Sequence, residues 1–284
     1  MTSNNSTAGG RKPKLIAPDG ACDCHMHVYD KRYPTAPTAA APPPHAPLEA
    51  YEPVKAHLGL TRTVVVQPSA YGTDNQCQLD AVARLGTNAR TVVVVDNSVT
   101  DHALENLTAA GARGVRFHMF PGGVLPWEIM EEMAERVHPF GWHIQLQMDG
   151  RNLAEREDLL MRLPCDLVVD HVGKFLEPVS IDHPGFQTLL KLVDTGRCWV
   201  KLSAAYEVSK SGPPLYEDVG VLAKALVRAA PERMVWASNW PHPSVSREDA
   251  PNDAMLLDLL LDWAEDEKTR NRILVHNPEK LYGF

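Results

Sequence analysis

The chain alternates short β-branched runs with stretches of helical length, about eight times over. The first run spans residues 21–28. The others span residues 63–66, 91–95, 114–117, 143–148, 166–169, 198–202 and 234–237. Strand followed by helix in this rhythm predicts a parallel sheet closed into a (β/α)8 TIM barrel, an α/β fold. A doubly wound open sheet is the alternative, but no glycine-rich dinucleotide fingerprint follows any run.

Between the runs lie amphipathic stretches that we predict to be helices. The clearest are residues 78–85, 127–137, 186–193, 217–229 and 254–264. A chain of 284 residues with 44% hydrophobic content is long enough for one large domain, which we place at residues 21–284.

Residues 1–20 are polar and lack the apolar core of a secretory signal, so we predict a disordered N-terminal tail and a cytoplasmic protein. The five scattered cysteines resemble neither a disulfide framework nor a zinc ribbon, which fits a reducing compartment. A net charge of −8 without a basic stripe disfavours nucleic acid and anionic membranes as partners. No apolar run approaches the roughly 20 residues of a membrane span.

The first run contains two histidines, His25 and His27. If it is a regular strand, Asp23, His25 and His27 share one face, and Cys22, Cys24 and Met26 share the other. Two imidazoles at i and i+2 converge on one small volume, which suits a metal ion, a proton transfer or a bound carbonyl oxygen. Alternatively, the pair ends a buried strand and hydrogen-bonds to loops.

A proline-rich connection at residues 29–47 follows this run directly. Its prolines exclude a helix or a central strand. Long loops in compact domains are often functional. We therefore predict that it covers the site, with Tyr29 and Tyr33 as contacts; a surface crossing without a role in binding is the alternative.

Polar residues also mark the ends of the later runs, where a TIM barrel carries its chemistry. The candidate site residues are Gln67, Ser69, Tyr71, Arg116, Gln147, His171, Lys174, Tyr206 and Asn239. Gln145, Asp96 and Lys201 have the same character, but we interpret them as satisfied polar groups of the core. The prediction depends on the coincidence of many such groups at one rim, because any one of them alone has an ordinary structural explanation.

Three of these segments together resemble the amidohydrolase superfamily. They are Asp23-x-His25-x-His27, Asp170-His171 and Asn239-Trp240-Pro241-His242. With Gln67-x-Ser69 and Gly173-Lys174 they look more narrowly like its sugar-acid and pyrone lactonase branch, from about residue 21 to the end. The resemblance implies an amidohydrolase-type barrel and an enzyme that acts on a small-molecule lactone.

Two departures from the lactonase pattern bear on the reaction. Where this chain has Asn239, the lactonases have an aspartate that acts as general base toward water. Where it has Lys174 and residues 204–207, they have arginines that grip the substrate. These surroundings are more similar to the branch's lactone isomerases, which share the asparagine, although their pattern lacks one of the two strand-one histidines and this chain keeps His25.

The asparagine also bears on metal use. Metal-dependent members of the superfamily combine the strand-one histidines with an aspartate on strand eight. A carboxamide carries no charge and cannot take a proton from water at neutral pH. The resemblance to the lactonase branch implies work without a metal, so we predict no cofactor. Zinc held by His25, His27 and His171 is the alternative.

The expected reaction is therefore an internal acyl transfer in a sugar-acid lactone. In a 1,5-lactone such as D-galactaro-1,5-lactone, the free 4-hydroxyl attacks C1 and gives the 1,4-lactone. We assign carbonyl polarisation and proton shuttling to His25, His27 and His171, and orientation of the hydroxyl to Asn239. The remaining candidates would bind substrate: Gln67, Ser69, Tyr71, Arg116, Gln147, Lys174 and Tyr206.

Two other functions stay open at this point. One is hydrolysis of a sugar-acid or dicarboxylate lactone, with or without zinc. The other is a non-catalytic carbohydrate-binding barrel in which the missing aspartate means lost chemistry. The sequence does not indicate an oligomeric state.

Overall fold

The computed structural model describes residues 10–284 and contains one eight-stranded parallel sheet whose strand order follows the sequence. The strands are β1 (Cys22–Met26), β2 (Arg62–Val66), β3 (Ala89–Val93), β4 (Ala112–His118), β5 (His143–Gln147), β6 (Leu167–Val169), β7 (Cys198–Leu202) and β8 (Met234–Trp236). Just beyond β8, the Asn239 amide donates to the His25 carbonyl oxygen at 2.9 Å, which ties the last strand to the first. The predicted (β/α)8 TIM barrel is confirmed.

Helices alternate with the strands and surround the sheet. They are α1 (Leu48–Leu58), α2 (Gln76–Leu85), α3 (Asp101–Ala109), α4 (Met130–Val137), α5 (Glu157–Arg162), α6 (Pro184–Asp194), α7 (Glu217–Ala229), α8 (Asp253–Trp263), α9 (Glu267–Asn271) and α10 (Asn277–Tyr282). The five predicted helices correspond to α2, α4 with a short turn before it, α6, α7 and α8. Within residues 10–284, no helix combines the length and apolarity needed to cross a membrane.

The apolar residues form two cores, as the period-2 pattern of a barrel requires. The larger core lies between the sheet and the helices, and the smaller one fills the barrel. The inner core contains Val64, Val92, Val168 and Trp199 and is joined by Tyr282 from the C terminus. Apart from His143, the inner core is apolar, and the polar side chains that face the barrel interior cluster toward the carboxyl ends of the strands.

Strand β1 departs from regular alternation, so the predicted faces of Asp23 and Met26 are wrong. Asp23 pairs with Thr63 and Met26 with Val65, which leaves two residues of β1 opposite one residue of β2, a β-bulge. Cys22 and Cys24 pack in the inner core, whereas Met26 packs in the outer one.

The bulge also separates Asp23 from the two histidines. Its carboxylate accepts hydrogen bonds from Tyr51 Oη on α1 at 2.9 Å and from the Ser238 amide at 2.9 Å. Asp23 therefore fastens β1 to its neighbours, while His25 and His27 face the barrel centre.

The start of the chain differs from the predicted disordered tail. The amides of Lys14 and Leu15 donate to Asp258 Oδ1 on α8 at 2.7 and 2.9 Å, and Leu15 is buried. Residues 11–15 are thus attached to the barrel, because the carboxylate of Asp258 accepts from two backbone amides. Residues 1–9 of the predicted tail lie outside the described part of the chain.

The proline-rich connection folds back along the mouth of the barrel. Tyr29 and Ala46 form an antiparallel bridge at its two ends. The Tyr29 ring lies 5.9 Å from the His27 ring, centroid to centroid. Tyr33 instead donates from its hydroxyl to Asp80 on α2, which places it away from the histidines.

One glycine inside the barrel offers a direct test of this packing. A Cβ atom at Gly114 would lie 2.5 Å from His143 Nε2, and both residues sit within strands that cannot easily separate. We expect Gly114→Ala to lower the free energy of unfolding by about 1–3 kcal/mol because of this overlap. Urea denaturation measures the change. The cost should shrink in a His143→Ala background, and an equal cost in both backgrounds would contradict the proposed clash.

Candidate active site

Hydrogen bonds fix the tautomers of the strand-one histidines. His27 Nδ1 lies 2.7 Å from the Val66 carbonyl oxygen, which can only accept, so Nδ1 carries the hydrogen. In a neutral ring His27 Nε2 is then an acceptor, and His25 Nε2, 3.2 Å away, donates to it. Burial lowers the pKa of His27 to about 3 and that of His25 well below its usual value, so both rings are neutral at neutral pH.

This arrangement leaves His25 Nδ1 as an acceptor, and a buried ammonium group supplies the donor. Lys201 Nζ lies 3.1 Å from His25 Nδ1 and 2.7 Å from Gln145 Oε1. Asp170 Oδ1 is 3.5 Å from Lys201 Nζ. Burial lowers the pKa of Lys201 to about 8, against the pull of Asp170, so most of the lysine is charged at neutral pH.

The Asp170 carboxylate lies between the two cations Lys201 and Arg116 at the bottom of the site, which we call the floor. Burial acts to raise its pKa, but Lys201, His171 and Arg116 hold the pKa below its ordinary value. Gln145 Nε2 donates to Asp170 Oδ2 at 3.1 Å, which orients the glutamine between the carboxylate and Lys201. Gln145 and Lys201, whose sequence positions indicate ordinary core groups, therefore lie directly against His25.

Three further predicted residues complete this floor. Arg116 donates to the Gln67 carbonyl oxygen at 2.9 Å and to Gln147 Oε1, and its Nε lies 3.7 Å from Asp170. The His171 ring lies 4.9 Å from the His25 ring. Its Nδ1 is 2.8 Å from Ser203 Oγ. The structure thus brings His25, His27, His171, Arg116 and Gln147 together.

A second polar group forms the rim above the floor. Asn239 Nδ2 donates to Tyr206 Oη at 2.8 Å and to Glu207 Oε1 at 3.1 Å. Lys174 forms an ion pair with the same glutamate, which also accepts from Ser244 Oγ. Lys174, Tyr206 and Asn239 therefore meet at one place, as predicted for one rim, and Glu207 is the group that joins them.

Gln67, Tyr71 and Ser69 lie near this site but differ in what they contact. The Gln67 amide donates to the carbonyl oxygens of Gly72 and Asp74 at 3.0 and 2.8 Å, and the Tyr71 hydroxyl is hydrogen-bonded to the backbone of Asp30. Both side chains hold loops in place. Ser69 is half-buried beside Arg116. Their roles in substrate binding stay predictions.

Sequence reasoning gave no role to three residues near the rim. Glu207 and His242 stood in the segments that we compared, but their partners could not be read from spacing. Asp253 is the first residue of α8, and its contact with His242 joins two elements that periodicity does not relate. Only the tertiary structure shows these contacts.

The residues of the floor do not suit a divalent metal ion. His25, Asp170 and His171 place their ligand atoms within 4.8 Å of one another, which is a plausible ligand spacing. However, Lys201 Nζ lies 3.1 Å from the nearest His25 nitrogen and 3.5 Å from the Asp170 oxygen. A cation bound there would face an ammonium group at close range. In the set predicted for zinc, His25 Nε2 and His27 Nε2 already hydrogen-bond to each other.

A histidine-rich floor at the carboxyl ends of the strands of a (β/α)8 barrel defines the class of protein as an amidohydrolase-type barrel enzyme. The chain belongs to the amidohydrolase family, whose model matches residues 22–284. This confirms the assignment drawn from the motifs on β1, β6 and β8.

Two curated relatives cover nearly the whole chain. D-galactarolactone isomerase of Agrobacterium fabrum is 38% identical over 276 residues, which is 96% of this chain and 94% of that protein. The 2-pyrone-4,6-dicarboxylate hydrolase of Comamonas testosteroni is 33% identical over 97% of this chain and 94% of its own. An apo crystal structure of an Agrobacterium tumefaciens protein has a TM-score of 0.92 at 37% identity and covers 98% of both chains.

The neutral buried histidines predict how stability depends on pH. Burial lowers the pKa of both His27 and His143 to about 3, while an unfolded histidine titrates near its ordinary value of about 6.5. Between these values the unfolded chain binds protons that the folded chain does not bind. The stabilising contribution of each histidine is therefore fully present above pH 6.5 and is lost as the pH falls. We expect a decline of about 1 kcal/mol per pH unit for each such histidine.

Urea denaturation at several values between pH 7 and pH 5 measures this slope. His143→Gln should make the slope smaller by the share of one histidine. A free energy of unfolding that stays constant over this range would show that the imidazoles are not held neutral.

Proposed function

We propose that this enzyme isomerises a sugar-acid lactone by internal acyl transfer, converting a 1,5-lactone such as D-galactaro-1,5-lactone into the 1,4-lactone. The observation that carries the proposal is Asn239, a carboxamide at the end of β8, held by Tyr206 and Glu207. An amide cannot deprotonate water but can orient a hydroxyl. The 38% identity to D-galactarolactone isomerase supports the same reaction and substrate class.

The chemistry suits a site without a base for water. The 4-hydroxyl oxygen bonds to C1, the bond from C1 to the ring oxygen breaks, and one proton passes from the attacking to the leaving oxygen. An internal nucleophile has an effective molarity that reaches about 10⁵ M in well-oriented cases. The enzyme then needs to position the substrate, stabilise an oxyanion and move one proton.

The charge of the floor favours that oxyanion. Lys201 and Arg116 are cations, Asp170 is the carboxylate between them, and the three imidazoles are neutral. The floor therefore carries a net positive charge in a buried setting, where electrostatic stabilisation of a tetrahedral intermediate is strong. The same charge suits the carboxylate of a sugar acid, which Arg116 and Lys174 would bind.

Lys201 also supports a reaction without a metal, because its ammonium group already faces His25 and Asp170. We expect the purified enzyme to keep its full rate after dialysis against a strong chelator, and to gain nothing from added zinc. Turnover measured alongside metal analysis by mass spectrometry tests this. Loss of activity on chelation that zinc restores would favour the zinc-dependent alternative.

Incubation with D-galactaro-1,5-lactone, followed by NMR, distinguishes isomerisation from hydrolysis. We expect the 1,4-lactone to appear at the turnover rate, and free acid to appear much more slowly. Release of acid at the full turnover rate with no 1,4-lactone intermediate would instead identify a hydrolase, the reaction named for the Comamonas relative.

Restoring a carboxylate at position 239 should shift the products toward hydrolysis. Asn239→Asp alone would place a carboxylate about 3.1 Å from Glu207, where like charges raise a carboxyl pKa. Asn239→Asp combined with Glu207→Gln avoids this repulsion and is expected to give more free acid per 1,4-lactone. Glu207→Gln alone is the matched control, and an unchanged product ratio in the double variant would contradict the role of Asn239.

A further inference from the structure

A second chain of hydrogen bonds runs from α8 to the rim. His242 Nε2 lies 3.1 Å from Asp253 Oδ1, and His242 Nδ1 lies 3.0 Å from Tyr206 Oη. Tyr206 Oη in turn accepts from Asn239 Nδ2 at 2.8 Å. The function described so far gives Asp253 and His242 no role, although both are almost completely buried.

The donors and acceptors in this chain have one consistent direction. A carboxylate only accepts, so the hydrogen of neutral His242 is on Nε2 and points at Asp253. His242 Nδ1 is then an acceptor, and the partner that donates to it is the Tyr206 hydroxyl. The arrangement of carboxylate, imidazole and hydroxyl is that of an activated hydroxyl group, in which the imidazole can take the hydroxyl proton.

The helix does not need Asp253 for its own start. Asn252 caps α8 by accepting from the Met255 amide, so Asp253 is not the capping residue. Its Oδ1 contacts His242, and its Oδ2 has no hydrogen-bond partner among residues 10–284. Burying a carboxylate with one unsatisfied oxygen is costly, which favours a role beyond packing.

His242 itself adopts a φ of 65°, a strained backbone conformation for a residue other than glycine.

Glu207 is a weaker candidate for the base. Its carboxylate already receives Lys174 Nζ, Asn239 Nδ2 and Ser244 Oγ. Because three donors already occupy the carboxylate oxygens, a substrate hydroxyl could reach Glu207 only by displacing one of these contacts.

We propose that Asp253, His242 and Tyr206 form a proton relay in which Tyr206 is the catalytic residue that accepts and returns the proton of the substrate hydroxyl. This rests on the proposed function. The 4-hydroxyl proton passes to Tyr206 Oη while the Tyr206 proton passes to His242 Nδ1, and the 4-oxygen attacks C1. When the bond from C1 to the ring oxygen breaks, the proton returns through Tyr206 to that oxygen. Asp253 and His242 are positioning residues, since they act through Tyr206.

The relay makes a prediction that needs no substrate. In a ¹⁵N-labelled protein, the His242 shifts, assigned by comparison with His242→Gln, should show the Nε2–H tautomer. Asp253→Leu should lower the share of the Nε2–H tautomer, because it removes the side chain that accepts this hydrogen. An Nδ1–H tautomer in the unmodified protein would overturn the relay.

Kinetics on the 1,5-lactone give the second test. We expect Tyr206→Phe to lower kcat about 10²-fold with little change in KM, and His242→Gln and Asp253→Leu to lower it in the same way. Because the three act as a unit, His242→Gln added to Tyr206→Phe should cost nothing further. Ser246→Ala, which removes a hydrogen bond to Asp249 in the same connection, is the control and should keep kcat near that of the unmodified enzyme.

The outcomes separate the relay from the proposed function. Losses that multiply in the double variant would show that His242 only supports the loop, and would overturn the relay in an active isomerase. A protein with the expected tautomers but no isomerase activity would overturn the proposed function and, with it, the catalytic role of Tyr206. Melting temperatures of each variant identify any loss that comes from unfolding.

Discussion

The site depends on a buried ion pair between Lys201 on β7 and Asp170 after β6, with Gln145 between them. Neither charge could be retained alone in the barrel, because an unpaired buried ion costs several kcal/mol. Together they supply a donor to His25 Nδ1 and so determine which nitrogen of that ring carries the hydrogen. The tautomer of His27 follows from the next contact and from the Val66 carbonyl. The buried ion pair and the Val66 carbonyl together thus determine the hydrogen positions on His25 and His27 and the orientation of Gln145.

The site has two parts with different chemistry. The floor holds neutral imidazoles over a net positive charge and is suited to a developing oxyanion. The rim holds a carboxamide, a phenol and an ion pair, and it is suited to orienting hydroxyl groups. Asn239 belongs to the rim through its side chain and to the floor through its backbone, since its amide donates to the His25 carbonyl oxygen. A change at position 239 therefore affects how a nucleophile is presented without removing the groups that polarise the carbonyl.

Much of the fold and part of the site followed from the sequence. The eight strands and the five clearest helices were recognisable because parallel strands buried on both sides are β-branched runs, and helices show a 3.6-residue pattern. His25, His27, His171, Arg116 and Gln147 were found because each lies at or near the end of such a run. The predicted faces of Asp23 and Met26 on β1 were wrong, since a bulge changes the parity of a strand without a signal in its composition. The contacts of residues 11–15 with α8 were missed because they join distant parts of the chain.

The sequence by itself determined the barrel, the polar rim and the missing carboxylate at Asn239, because these depend on residue type and local spacing. Only the tertiary structure decided that Lys201 lies against His25, that Glu207 links Lys174 to Asn239, and that Asp253 reaches Tyr206 through His242. Hydrogen-bond direction, tautomer and pKa depend on which groups from distant strands and helices meet in a buried volume. Spacing along one chain does not contain that information.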